Sequence, residues 1–355
     1  MQINKKHLLF AHERRTFAIP KKQKIPKQHQ TMDLKKILSS GILLAAFTAT
    51  LITLSSASNT DEEEHKAKLQ TNGTYSPQVP RSIVFAGQKI SLTAQDRHER
   101  MDREILSFTY SHINTMLIIK RANRLLPIVE PILKECNVPD DFKYLMLIES
   151  NGDIEARSPA GAGGLWQFLE KTARDYGLEV NGEIDERYNI EKATRAACEY
   201  LKESYAKYKD WLTVAASYNT GRANVDKRVS AQKESKAINL VLLPETSRYI
   251  FRLMAAKTVL ENPKDYGFTL HSCDLYPQLP IAKTIRIDGN VTSWADIAKQ
   301  HGLTYLQLRE ANPWIRSAAL NNKNSKVYEV KIPDAKALHY NPQETKAHNS
   351  NWVVK

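Results

Sequence analysis

Glu149 stands where an acid is costly. It stands next to last in the segment "DDFKYLMLIES", and Phe142, Leu145 and Met146 precede it at spacings of seven, four and three. At helical period these four residues share one face, so the acid lies on the same stripe as core side chains. It also falls in the last turn before Asn151-Gly152, at the negative end of the helix dipole. Desolvation and the dipole both disfavour the ionised carboxylate and raise its pKa. An acid held protonated near neutral pH can deliver a proton to a leaving group.

The residues that follow are suited to a cleft beside such an acid. "SPAGAGG" is a flexible stretch running into Trp166, Gln167 and Phe168. Glycines at 161–164 would let backbone approach a ligand closely. Further along, "AASYNTG" carries Tyr218 and Asn219, and "ETSRYI" carries Tyr249. No cofactor or metal is expected. The chain has no glycine-rich phosphate loop and no HExxH, and Cys136, Cys198 and Cys273 have no CxxC or Cys/His metal spacing. Two of these cysteines could pair in an exported chain, or all could be buried thiols.

The elements that must position these groups are mostly helical. Met101, Ile105, Phe108, His112 and Thr115 predict a long amphipathic helix within 96–121, and residues 123–136 predict another, kinked or broken at Pro127 and Pro131. The helix bearing Glu149 is expected to be capped by Asp140 or Asp141. Helices are also expected in "NIEKATRAACEYLKESYAKY", in "DWLTVAASYNT" with Asp210 as N-cap, and from Pro244 to before Pro263. Residues 283–333 change character, with strand, helix, helix and strand in about 50 residues. Ser293 is the expected cap of the first of those two helices. They read as a small independent βααβ module.

Charge is uneven. The net +12 includes a surplus of 8 in residues 1–57, leaving +4 for the rest. That excludes a strongly basic nucleic-acid binder as the folded part, and no nucleic-acid partner is expected. Lys35 and Lys36, the apolar run Ile37–Leu54 and Ser55-Ser56-Ala57 make a secretory signal pattern, with Met32 as the expected true start. An uncleaved membrane anchor is the alternative, because the run has about the minimum length for spanning. The expected organisation is a leader over 1–57, a linker over 58–95 and a helical region over 96–136. A catalytic domain over 137–263, a linker over 264–282, the small module over 283–333 and a disordered tail over 334–355 follow.

Four motifs in order now carry a resemblance: Glu149-Ser150; Gly163-Gly164-Leu165-Trp166-Gln167-Phe168; Ala216-Ser217-Tyr218-Asn219; and Glu245-Thr246 with Arg248-Tyr249. The segment resembles the soluble-lytic-transglycosylase-like catalytic domain, related to goose-type lysozyme. "SWADIAKQHGLTYLQLREANP" resembles a LysM peptidoglycan-binding domain, degenerate at both ends, where Gly289-Asn290 and Asn324-Ser325 replace the usual Gly-Asp and Gly-Gln. The first resemblance implies a mainly α, lysozyme-like (α+β) fold. It also implies an exported enzyme of the bacterial envelope that cuts peptidoglycan glycan strands without water, leaving 1,6-anhydromuramoyl ends.

Glu149 would be the single catalytic residue, acid then base. Ser150, Gln167, Tyr218, Asn219, Tyr249 and Trp166 would bind substrate, although the family more often has methionine at the position of Trp166. Two alternatives stay open. One is a hydrolytic muramidase using a second carboxylate from Asp153, Glu155 or Asp185; the other is a non-catalytic peptidoglycan-binding scaffold.

Overall fold

The computed structural model describes residues 74–354. The signal segment lies outside these residues. Among them, no helix is long and apolar enough to cross a membrane.

The chain enters through a hairpin, β1 (Ser82–Phe85) and β2 (Gln88–Ser91), paired antiparallel with Phe85 opposite Gln88. Ala86 and Gly87, both at positive φ, make the two-residue turn. The expected linker is therefore ordered from residue 82. Its alternation of inward Ile83, Phe85, Ile90 and Leu92 buries one face on the main core.

Helices α1 (Gln95–Tyr110) and α2 (His112–Glu135) follow. The break lies at Ser111 rather than at the prolines. Ser111 has ψ of 57°, outside the helical range, whereas α2 runs unbroken through Pro127 and Pro131. Each internal proline costs a hydrogen bond. The buried face of Leu125, Leu126, Val129, Ile132 and Leu133 offsets that loss.

Glu149 is carried by α3 (Phe142–Ser150). Asp141 precedes α3 but makes no side-chain cap. Its carboxylate instead accepts the hairpin amide of Ala86 at 2.6 Å and Lys257 Nζ at 2.5 Å. The expected N-cap thus acts as a tether between the hairpin, α3 and the helix that bears Lys257.

After α4 (Glu170–Asp175) come α5 (Ile190–Tyr208), α6 (Trp211–Thr220), α7 (Arg222–Gln232) and α8 (Pro244–Glu261). Asn189 and Asp210 cap α5 and α6 through their side chains. Val214, Ala215 and Ala216 of α6 are fully buried, and α6 packs against α5 and α8. Small residues allow that close approach. The hairpin and helices α1–α3, α5, α6 and α8 share one apolar core.

Residues 281–333 form the βααβ module. β3 (Ile281–Ile287) pairs antiparallel with β4 (Tyr328–Pro333), enclosing α9 (Trp294–Gln300) and α10 (Tyr305–Ala311). Ser293 caps α9, accepting the Asp296 amide at 3.1 Å. The module has its own core around Trp294, Leu308 and Val330, but it is not independent. Ile184 and Tyr188, from the loop before α5, belong to that core. Ile184 bridges to Ile315, and the Asp185 amide donates to Trp314 O at 2.9 Å. Lys326 pairs with Glu179 at 2.6 Å, and the Arg316 guanidinium lies 4.4 Å over the Tyr188 ring.

Two further segments expected to be loose are packed. In the 264–282 linker, Phe268, Leu270 and Leu275 are buried, and Tyr276 N donates to Lys120 O. The tail is anchored by Trp352, 3% exposed, whose Nε1 donates to Leu260 O at 2.7 Å. Polar composition hid these few apolar anchors, and one buried Trp outweighs a run of solvated neighbours.

Candidate active site

Helix α3 ends as its sequence dictates. Asn151 adopts the left-handed conformation (φ 52°, ψ 31°) and Gly152 follows at φ 65°. A Cβ on Gly152 would lie 3.1 Å from Arg121 Cβ, and Arg121 Nη1 donates to Asn151 O at 3.0 Å. The chain therefore turns away against α2, and Glu149 is left on the last turn.

Phe142, Leu145 and Met146 are fully buried beneath Glu149, which itself stays partly exposed. From α8, the Tyr249 hydroxyl donates to Glu149 Oε1 at 2.5 Å. Burial raises the Glu149 carboxyl to about 7; the Tyr249 bond and the Arg252 charge pull it down, and Glu245 pushes it up. These three residues come from one face of α8, where Glu245, Arg248, Tyr249 and Arg252 recur at spacings of three, four and seven. Together with Glu104, Asn219 and Pro244 they line a cavity of about 380 Å³. Glu104, on α1, is buried and accepts from Arg248 Nε at 3.0 Å.

Tyr218 lies close enough for the Glu149 charge, after burial, to push its hydroxyl well above the usual tyrosine range. That hydroxyl donates to the backbone carbonyl of Trp166 at 2.6 Å. Tyr218 thus ties α6 to the glycine-rich loop. Gln167 sits at φ 49°, and its Nε2 donates to Ala156 O and Gly164 O at 3.1 and 2.8 Å. The amide nitrogen braces the loop, and Oε1 is the end of the side chain not used in these bonds.

The glycines do something other than expected. At Gly164, φ is 74° and a Cβ would lie 1.9 Å from Arg187 O. At Gly163 a Cβ would meet the Tyr188 hydroxyl at 3.0 Å. The close approach is to the chain's own Arg187–Tyr188 segment. Arg187 completes the seam, donating to Gly161 O at 2.8 Å and to Asp185 Oδ2 at 2.7 Å.

Of the residues expected to bind substrate, Asn219 and Tyr249 line the cavity, and Tyr218 stands near Glu149. Two do not reach the site. Trp166 is fully buried, with Nε1 donating to Thr194 Oγ1 at 2.9 Å, so it is a core residue. Ser150 is buried, and its hydroxyl donates back to Met146 O at 3.2 Å. Glu104 and Arg252 were missed, and Glu245 and Arg248 were named only within a motif; the one-face spacing of the α8 residues was the available signal. Among the described residues, no His, Cys, Asp and Glu cluster could hold a metal ion.

The sequence that builds this frame is similar to known families. Residues 128–241 match the model of the transglycosylase SLT domain. That segment is similar to an SLT domain. The match takes in Glu149, Gln167, Tyr218 and Asn219 and stops short of α8 and Tyr249. Residues 283–336 match the soluble lytic transglycosylase C-terminal LysM-like domain.

The chain is 27% identical over 238 residues to membrane-bound lytic murein transglycosylase D of Escherichia coli (strain K12), covering 65% of this chain and 51% of that protein. It is 28% identical over 127 residues to membrane-bound lytic murein transglycosylase F of Salmonella typhi, covering 33% and 25%. The chain thus spans about half the length of the first relative. Among solved structures, the 70 kDa soluble lytic transglycosylase of Escherichia coli aligns over 38% of this chain and 24% of its own, at 18% identity and a TM-score of 0.33.

Proposed function

We propose that this chain is a lytic transglycosylase that acts on peptidoglycan in the bacterial envelope. It cleaves the β-1,4 bond from N-acetylmuramic acid to N-acetylglucosamine without consuming water. Glu149, neutral at rest, gives its proton to the glycosidic oxygen as the C1–O bond breaks. The N-acetyl oxygen of the muramoyl residue supports the developing charge at C1. The C6 hydroxyl oxygen then bonds to C1, and its proton returns to Glu149. The product is a 1,6-anhydromuramoyl end, and the acid is restored.

The observation that carries this reading is the carboxyl of Glu149, raised to about 7 over an apolar floor and bonded by Tyr249. One group that must be acid and then base works best with a pKa near the working pH. A two-carboxylate hydrolase would need a partner acid ~5–9.5 Å away. The three loop acids are engaged elsewhere. Asp153 faces Arg121 at 3.6 Å, Asp185 is paired with Arg187, and Glu155 lies 3.7 Å from both Arg309 and Arg316. Glu245 is the carboxylate whose charge is felt at Glu149, so it is the residue a hydrolytic route would use.

The test is digestion of peptidoglycan in ¹⁸O-labelled water by wild type and by Glu245→Gln. The transglycosylase reading expects unlabelled new ends from both. Label at the new reducing end, lost in the Glu245 variant, would replace it with a hydrolase.

A further inference from the structure

Two cysteines outside the site meet. Cys136 caps the C-terminus of α2, and Cys198 lies in the middle of α5. The sequence separates them by 62 positions. Both are free thiols in the structure; Cys198 is fully buried and Cys136 is partly exposed. Cys198 lies in the main apolar core and Cys136 packs against it, where their two helices meet.

The neighbouring residues hold the two helices in this register. Glu135, next to Cys136, takes Arg195, one turn before Cys198, in a fork of two bonds at 2.9 Å each. Bidentate geometry of this kind fixes orientation as well as distance. Cys273 has a different setting, in the short turn Ser272–Asp274, where its carbonyl accepts the Tyr340 hydroxyl at 3.0 Å.

We propose that Cys136 and Cys198 form a disulfide when the chain folds in an oxidising compartment. The oxidant is a disulfide, either a small molecule or a protein. The partly exposed Cys136 thiolate attacks it, releasing one thiol and leaving a mixed disulfide. Cys198 then attacks the Cys136 sulfur and releases the second thiol. Two protein thiols and one external disulfide thus become one protein disulfide and two external thiols. Burial pushes the Cys198 thiol up, whereas Lys202 and Arg195 act the other way. The second step is therefore slow in the closed core and belongs to folding.

The bond would join two walls of the site. Cys136 leads through Asn137 and Val138 into α3, which carries Glu149. Helix α5 packs on α6, which carries Tyr218 and Asn219. A link closing about 60 residues restrains the unfolded chain strongly.

The test refolds the full chain in glutathione disulfide and glutathione, then alkylates it under denaturing conditions and measures intact mass and non-reduced peptides. The expected result is one alkylated cysteine, Cys273, and a peptide pair joined through Cys136 and Cys198. Adding reductant should lower Tm by roughly 5–15 °C. Cys273→Ser should keep the linked pair, and Cys136→Ser and Cys198→Ala should each abolish it. Three alkylated cysteines in the oxidised wild type, or a link through Cys273, would overturn the proposal.

Discussion

The Tyr249 hydroxyl donates to Glu149 Oε1 at 2.5 Å, joining α8 to α3 across 100 residues of sequence. The bond favours the ionised carboxylate, whereas burial favours the neutral one, and burial prevails. In Tyr249→Phe the downward pull is lost and the Glu149 pKa rises further. A group that must be protonated to start the reaction then stays protonated to higher pH, so the alkaline limb of the pH–rate profile moves up. The maximal rate should fall about tenfold, the scale of one hydrogen bond to a charged group. An alkaline limb that stays in place or moves down would show that the bond does not govern this proton.

Stability should also depend on this acid. The folded pKa of about 7 exceeds the ordinary glutamate value of 4.5, so the native state binds the proton more tightly. Wild type therefore loses stability as pH rises from about 4.5 to about 7, and Glu149→Gln does not. Allowing for the partial exposure of the carboxyl, the variant should be more stable by on the order of 2 kcal/mol at pH 8. The gap should close near pH 4. Urea unfolding of both proteins at the two pH values measures it.

Gly164 is required by the chain itself. With φ at 74° and a Cβ position 1.9 Å from Arg187 O, Gly164→Ala must displace backbone. We expect a loss of about 3 kcal/mol or more, read as a lower denaturation midpoint. Gly161, also at positive φ but with open space around its Cβ position, should lose only about 1 kcal/mol in Gly161→Ala.

The tail matters for the same core. Trp352→Ala removes a buried ring and its bond to Leu260 O, next to the end of α8. The expected cost is about 3–4 kcal/mol by chemical denaturation. A change below about 0.5 kcal/mol would mean that the tail does not pack in solution.

Glu149 was legible because three buried residues at helical spacing share its face, and that pattern is local. The βααβ module was legible from alternation and from caps such as Ser293. Trp166 and Ser150 were misread because adjacency to a site residue does not fix which way a side chain points. Trp166 finds its partner in Thr194 and Ser150 in the turn before it. The glycines at 163 and 164 were read as space for a ligand, whereas Arg187 and Tyr188, over 20 residues later, fill that space. The docking of the module through Ile184 was invisible for the same reason, since the loop that carries it has no period of its own.

The most direct measurement is mass spectrometry of the fragments released from peptidoglycan sacculi by the wild-type chain and by Glu149→Gln. We expect muropeptides one water lighter than hydrolysis products from the wild type, and their loss from the variant. Hydrated reducing ends, or the same lighter products from Glu149→Gln, would contradict the assignment of Glu149 as the single acid and base.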